Sequence, residues 1–393
     1  MKKDCVLVVG GGACGMVAAI SSASVGKKVI LCERKPVLGK KIFVSGGGRC
    51  NLLNEDLRES YYNREAQSLV KSIFSKFGKR DILEFFKELG LVTYSQGSRI
   101  FPITNQASSV VKVLDNELKR LGVNVEVNFE VKKINFSKDR FIVLSKDNRD
   151  IESNKVIIAT GGKSYPALGS DGSGYNLAES FGHTILQPFP IGVPLVIKDK
   201  FCHLLSGQKI FAKVKLLINN EVIDETEGEI LFTNYGISGT AILDVSGSVS
   251  YYINIKKTDD IFLSIDMVPF WDKDSLTKEI NRRLNRGIPK EEVIVGILPN
   301  KFSNAFRDYF GNTAILVDVL KDKCFKVKGT RGWNEAEFTG GGVNINEVKE
   351  GTLESKLKGG LYFAGEVLNV CGKRGGYNLA WAWASGFVVG LTL

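Results

Sequence analysis

The segment GGGACG at 10–15 limits what this chain can fold into more than any other part of it. It follows the apolar run DCVLVV (4–9) and precedes the small, helix-compatible MVAAISSASVG (16–26). A second apolar run then lies within KKVILCERK (27–35). Strand, glycine turn, helix and strand make a βαβ unit. Gly10, Gly12 and Gly15 fall on the G-x-G-x-x-G pattern. The first glycine permits a tight turn, the second lets backbone approach a pyrophosphate, and the third allows close helix–strand packing. The helix start offers free N–H groups and partial positive charge to the phosphates. Glu33 ends the second strand, 18 residues after Gly15. A carboxylate there accepts ribose hydroxyls and argues against a 2′-phosphate, hence against NADP in this site.

Beyond this unit the texture changes twice. A Gly- and Lys-rich loop, LGKKIFVSGGGRCN, covers 38–51. Leu69, Ile73, Phe77, Leu83 and Phe86 among charges predict helix over 64–90, and 106–121 predicts another amphipathic helix. VNVEVNFEVKKINF (123–136) and RFIVLSK (140–146) alternate as strands do, and KVIIATGG (155–162) is a buried strand running into glycines. From about 191 the chain reads as β. FAKVKLLINNEVIDETEGEILFT (211–233) predicts strands joined by a tight turn at Asn219–Asn220, and YYINI (251–255) and IFLSIDMV (261–268) continue that character. Residues 272–325 read as short helices, with Pro289 suited to a first turn ahead of EEVIVGIL. After 338 glycine returns in TGGGVNI (339–345), KGGLYFAGEV (358–367) and CGKRGGYNLAWAWASG (371–386). The expected organisation is a nucleotide-binding domain built from 1–190 and 338–393, with a β-rich insertion over 191–268 and a helical subdomain over 269–337.

Composition excludes several classes. Hydrophobic residues at 44% and charged residues at 24% describe an ordinary globular chain, not a disordered or fibrous one. No apolar run approaches the roughly 18 residues of a membrane span. The five-residue run at 5–9 ends in glycines and reads as a first strand, not a signal peptide. Seven cysteines without regular spacing and without C-x-x-C form no disulfide framework, so a reducing cytoplasmic setting is expected. Two histidines leave little room for a metal cluster or a His-based triad, and no metal is expected.

The C-terminal segments point to the dinucleotide. GLYFAGEV (360–367) is a strand ending at Gly365–Glu366, and GGYNLAWAWASG (375–386) starts a helix at a glycine pair. Such a helix aims its positive end at a cofactor ring and favours negative charge on a reduced flavin. With ATGG (159–162), this is the pattern of an FAD-binding flavoprotein. Only one fingerprint is present, so NADH or NADPH, if used as donor, must approach the flavin directly.

GGGACG (10–15), SGGGRCN (45–51), RIFP (99–102), ATGGKSYPALGSDGSG (159–174), GEILFTNYGISG (228–239), TGGGV (339–343), YFAGE (362–366) and GGYNLAWAWASG (375–386) together resemble the BaiN/aminoacetone-oxidase-like family of bacterial FAD-dependent oxidoreductases. The resemblance implies an α/β fold. A Rossmann-like FAD domain is built from both chain ends, with an inserted β-barrel-like subdomain and a small helical subdomain. It implies hydride transfer through flavin N5 with a small organic substrate: reduction of a bile-acid or steroid-like enone, or oxidation of an amine such as aminoacetone. This chain departs from the family pattern at several places. Asn234 stands where the family has His, GSDGSG moves an acid to Asp171, Asn369, Cys371, Lys373 and Arg374 replace a D-V-D-G-x-T run, and Ala380 replaces Gln.

The expected FAD contacts are Gly10, Gly12, Ala13, Cys14, Gly15, Glu33, Arg34, Lys41, Ser45, Gly46, Gly47, Gly48, Arg49, Cys50, Val131, Ala159, Thr160, Gly161, Gly365, Glu366, Gly375, Gly376, Tyr377, Asn378 and Leu379. No proton donor is nameable from the pattern. Arg49, Arg374, Asn234 and Tyr377 are the candidates for catalysis. Cys50 has no partner cysteine nearby, which disfavours a flavin-disulfide reductase, and Trp381 and Trp383 read as core. His183 reads as a residue past a helix end. Two alternatives stand beside the oxidoreductase: an RNA-modifying flavoprotein and an FAD-binding regulatory protein without turnover. The net charge is +10, from 53 Lys+Arg and 43 Asp+Glu. Residues 191–340 carry 20 of each sign, so the excess lies in the FAD-domain segments. That placement fits a diphosphate cofactor better than a basic, RNA-gripping insertion, and no nucleic-acid or membrane partner is expected.

Overall fold

The computed structural model describes residues 5–393; Asp4, read as the start of the first strand, lies outside them. The chain forms two compact units, Met1–Pro188 with Phe338–Leu393, and Phe189–Glu337.

The first unit is organised by a five-stranded parallel sheet. From edge to edge it runs Leu361–Phe363, Lys155–Ile158, Cys5–Val9, Lys28–Cys32 and Asn124–Glu126. Val6, Leu7 and Val8 are fully buried, as are Val156, Ile157 and Ile158, which is why these strands are continuous apolar runs rather than alternating ones. The first strand lies between the second and the one at 155–158. Chain order therefore reverses beside it, and the crevice at the carboxyl ends of these two strands is where open α/β sheets bind ligands. Both glycine segments, 10–15 and 159–162, leave the sheet at that point. Ala159 N–H donates to the Val9 carbonyl at 2.9 Å, locking the two exits together.

Two helices complete this core. Ala13–Ser24 follows the fingerprint, and Tyr377–Leu391 is buried on most of its surface. The Trp381 indole N–H donates to the Gly365 carbonyl at 3.1 Å, and that of Trp383 to the Leu52 carbonyl at 3.0 Å. The pair is core, as read, but each indole also satisfies a backbone group at a site segment. The region 64–90 is two helices, Gln67–Lys76 and Lys79–Glu88, not one. Gly78 interrupts it, and its N–H is taken by the Asp81 carboxylate at 2.8 Å, which starts the second helix. The run 123–136 likewise splits. Asn124–Glu126 joins the parallel sheet, whereas Val131–Ser137 begins a three-stranded antiparallel sheet with Arg140–Ser145 and Asp150–Ser153.

The second unit holds a seven-stranded antiparallel sheet. Its longest strands, Lys209–Ile218 and Glu221–Thr233, turn at Asn219 (φ 50°) and Asn220 (φ 65°). Two consecutive left-handed residues define the tight hairpin turn that asparagine tolerates. YYINI is not a strand. Tyr251 ends the helix Thr240–Tyr251, and Tyr252–Lys256 continues it as a wider helical turn. Its alternating aromatic and apolar residues read as β, but Val245 and Val249, one turn apart, bury that helix against the sheet. Pro289 caps only the three-residue turn Lys290–Glu292, and EEVIVGIL does not extend as an α-helix. Phe302, Phe306 and Leu320 from the helical segment share one core with Phe232, Leu263 and Phe325 from the strands.

Among the described residues, no helix is long and apolar enough to cross a membrane.

Candidate functional site

The fingerprint builds one end of the crevice. A Cβ on Gly15 would lie 1.8 Å from the Gly10 carbonyl oxygen, so the turn closes only with hydrogen there. A Cβ on Gly12 would meet nothing within 4 Å, and that open space faces the start of the helix at Ala13. The Glu33 carboxylate accepts the Gly11 N–H and the Lys35 N–H, each at 2.7 Å. Burial pushes its pKa up, opposed by those two N–H groups and by Arg34. Its position at the strand end, beside the glycine turn, is that of a ribose-binding carboxylate.

Arg34 turns the other way. Its guanidinium forms ion pairs with Glu130 and Asp171, both at 2.5 Å. Burial raises the Asp171 carboxyl, but hydrogen bonds from Arg34 and Ser173 outweigh it and hold the pKa low. The acid that this chain carries at 171 thus anchors the 169–174 loop. Lys41 pairs with Glu366 at 2.7 Å and donates to Ser164 at 2.7 Å. Glu366 also accepts the Thr339 N–H at 2.7 Å. The two expected contacts Lys41 and Glu366 are therefore brought together across the crevice.

Residues 45–54 pack against the start of the last helix. Ser45–Gly48 is a tight turn with Gly46 and Gly47 in left-handed conformation. Gly376 precedes the helix at φ 101°, and a Cβ there would lie 2.6 Å from the Leu53 backbone. The Asn54 amide donates to the Gly375 carbonyl at 3.0 Å, which binds the two segments to each other. Asn378 accepts the Gly372 N–H at 2.8 Å and shapes the preceding loop. The Tyr377 ring stacks on Tyr61 at 4.8 Å, tilted by 31°. Tyr62 donates its hydroxyl to the Tyr377 carbonyl at 2.7 Å. Burial, then Tyr61 and Asp56, push the Tyr377 phenol up to about 12, against Arg58 and Arg99. It stays protonated at neutral pH and is able to donate a hydrogen bond.

Two buried polar atoms, Thr160 Oγ1 and Asn51 Oδ1, have no hydrogen-bond partner among the described residues, and Thr160 Oγ1 is packed against Gly174. The room at Gly12 and the Glu33 carboxylate seated at the strand end fit a dinucleotide bound at this crevice.

Other expected residues stand elsewhere or act differently. Asn234 is an exposed turn residue of the second unit, and its neighbour Tyr235 lies under the Arg331 guanidinium at 4.4 Å. Val131 begins the antiparallel strand and Arg374 is half-buried in the loop before the last helix. Cys371 is held by Asn63, which accepts its N–H at 2.8 Å and donates to the Asn369 carbonyl at 3.2 Å. Asn54, Tyr61, Tyr62 and Asn63 were not singled out from sequence; only their contacts with residues more than 300 positions away reveal them. His183 is buried, with Nδ1 at 3.1 Å from Glu347 and Nε2 at 2.7 Å from Ser355, and serves packing.

Cys50 is buried, and burial pushes its thiol up to about 12. Cys14, Cys32 and Cys202 are buried as well, whereas Cys324 is exposed. Iodoacetamide at pH 8 should therefore label Cys324 first and leave those four intact until the chain unfolds. Peptide mass spectrometry checks this, and early labelling of Cys50 would restore it as a redox candidate.

Residues 4–392 match the model of the HI0933-like protein Rossmann domain family. A 3-dehydro-bile acid delta(4,6)-reductase of Clostridium scindens is 36% identical, covering 98% of this chain and 97% of that protein. The chain belongs to this family of FAD-dependent oxidoreductases. A ribosomal RNA dihydrouridine synthase of Haemophilus influenzae is 30% identical, covering 98% of each chain. Among solved structures, the 3-ketosteroid delta1-dehydrogenase of Sterolibacterium denitrificans superposes with a TM-score of 0.52 at 12% identity, covering 98% of both chains. That likeness supports the fold alone.

Proposed function

We propose that this protein reduces a carbon–carbon double bond conjugated to a carbonyl group. The observation that carries this reading is chemical agreement between two full-length relatives. One is named for reduction at the delta(4,6) positions of a 3-dehydro-bile acid, the other for making dihydrouridine. A 4,6-diene next to a 3-ketone and the uracil ring share one reacting unit, an alkene in conjugation with C=O. Bound FAD supplies the hydride for such a reduction.

The chain's residues supply the rest. Gly10, Gly12, Gly15 and Glu33 would hold the diphosphate and ribose. Glu366, with Lys41, and Thr160 would line the middle of the cofactor, and residues 45–50 and 375–379 its ring. Hydride addition leaves negative charge on the carbonyl oxygen, and preorganised donors stabilise it. The N-terminal end of the last helix and the Tyr377 hydroxyl are such donors, with Arg49 and Arg374 as nearby charges.

A steroid-like enone is the first substrate class on this reading. Uridine in RNA is the second, favoured by the ribosomal RNA dihydrouridine synthase relatives at 30% and 29% identity. The test is anaerobic. FAD-loaded protein reduced with NADPH or NADH is mixed with a 3-dehydro-4,6-diene bile acid, or with unmodified ribosomal RNA. Reoxidation of the flavin and a product two mass units heavier are expected from one of them. If neither substrate reoxidises the flavin, and aminoacetone instead bleaches the oxidised form, the protein is an amine oxidase and the proposal fails.

A further inference from the structure

A cleft on the first unit shares Arg49 with the expected ring contacts and is otherwise lined by residues given no role above. It holds about 380 Å³ and is lined by Arg49, Gln96, Ser98, Arg99 and Phe101. Two arginines and no carboxylate make its walls cationic. It is built on a stiff support. Thr93–Gln96 and Arg99–Pro102 form a hairpin turning through Gly97 at φ 60°, with Gln96 paired to Arg99 and Ser95 to Ile100. Ile100 and Phe101 are each 2% exposed, which fixes the hairpin from below.

Both guanidinium groups are poised for a ligand. Arg49 lies over the Phe101 ring at 4.4 Å and donates one N–H to Gln96 Oε1 at 3.0 Å. A guanidinium carries five N–H donors, so the one bond to Gln96 does not exhaust its capacity. Arg99 has no carboxylate partner among the described residues. Glu55, on the neighbouring strand end, is engaged by Lys79 and Ser95. Like charges facing one cleft without an acid between them repel each other, and a shared oxyanion relieves that repulsion.

The cleft is also coupled to the ring end of the cofactor crevice. One amide group, Asn54 Nδ2, donates to Ser98 Oγ at 3.4 Å and to the Gly375 carbonyl at 3.0 Å. The Arg99 charge is felt at the Tyr377 phenol, where it opposes the upward shift. A group bound between the arginines is thus one residue away from the turn that opens the last helix.

We propose that Arg49 and Arg99 form an anion subsite for the substrate: they hold a phosphate or carboxylate of the molecule while its conjugated ring reaches the Gly375–Tyr377 turn. The open side of the cleft leaves room for a ligand that continues into solvent. The inference rests on the conjugated-alkene reading for which molecule binds, but its test needs no turnover.

Oxidised, FAD-loaded protein is titrated by calorimetry with two pairs of probes: hexauridylate against uridine, and a 3-oxo bile acid against its methyl ester. In at least one pair the anionic member is expected to bind more tightly than the neutral one. Arg99→Gln should weaken that anionic probe about ten-fold and leave its neutral partner unchanged, and Arg99→Lys should retain most of the affinity. If the phosphate is the anion, the salt dependence of hexauridylate binding should also fall by a slope of about one in Arg99→Gln. Arg99 is exposed, so both variants should keep the wild-type melting temperature and flavin spectrum. Equal binding of anionic and neutral probes, or anion affinity within two-fold of wild type in both Arg99→Gln and Arg49→Gln, overturns the subsite. Anion binding that is lost in the variants while neither substrate is reduced keeps the subsite and sinks the reaction instead.

Discussion

A Gly12→Ala variant should fold as the wild type does and come off a gel-filtration column colourless. The added methyl group meets no protein atom within 4 Å, and Gly12 at φ −82° and ψ −168° has a backbone conformation alanine adopts freely. Apoprotein stability should stay within about 1 kcal/mol of wild type, because the smaller unfolded-state entropy of alanine offsets its poorer capping. The methyl group does occupy the approach to the diphosphate, however, and FAD affinity should fall on the order of 100-fold or more. Gly15→Ala is the contrast. Its Cβ would sit 1.8 Å from the Gly10 carbonyl oxygen, so the turn itself must open. Melting temperature and FAD binding should fall together. Apoprotein melting and flavin fluorescence titration separate the two cases. A yellow Gly12→Ala protein with wild-type affinity would remove the fingerprint from the cofactor site.

The largest loss of stability is expected from Trp383→Ala. The side chain is fully buried, meets Phe86 edge-on at 5.1 Å, and satisfies the Leu52 carbonyl at 3.0 Å. Truncation leaves a cavity and an unpaired buried carbonyl together, a cost of about 3–5 kcal/mol. Trp383→Phe fills most of the space but not the hydrogen bond, and should cost about 1–2 kcal/mol. Urea unfolding followed by circular dichroism measures both. Because Leu52 precedes the Leu53–Asn54 strand that braces Gly375 and Gly376, FAD release should accelerate in the alanine variant. Equal stability of the two variants would show that the indole N–H bond is energetically silent.

The parts of the molecule legible in sequence are those whose determinants lie close along the chain. The βαβ unit is one: its strands, glycine turn and Glu33 fall within the first 35 residues, although the Gly11 and Lys35 N–H groups that Glu33 accepts were not read from the pattern. The hairpin at Asn219–Asn220 is another, because the two left-handed residues are adjacent. The helix Thr240–Tyr251 was hidden, since its small residues carry weak periodicity and the following YYINI mimics a strand until the sheet buries Val245 and Val249. The break at Gly78 was masked by apolar residues that keep helical spacing on both sides of it. Local motif logic names Lys41 and Glu366 one by one as expected contacts but not as a pair, since 325 positions separate them. Arg99 lies inside the segment RIFP, yet nothing in four residues says that its side chain shares a cleft with Arg49.

The split sheet also has a consequence in time. The strand Lys155–Ile158 waits for its outer neighbour Leu361–Phe363 until roughly 200 further residues are made, about 10–40 s at ribosomal rates. Phe189–Glu337, with a core of its own, is made within that interval. The earlier-made strands keep a bare edge, and neither Glu366 nor the last helix exists to receive a flavin. Synthesis order thus places completion of the split sheet after the insertion has been made, and makes the open sheet edge of the growing chain its exposed stage.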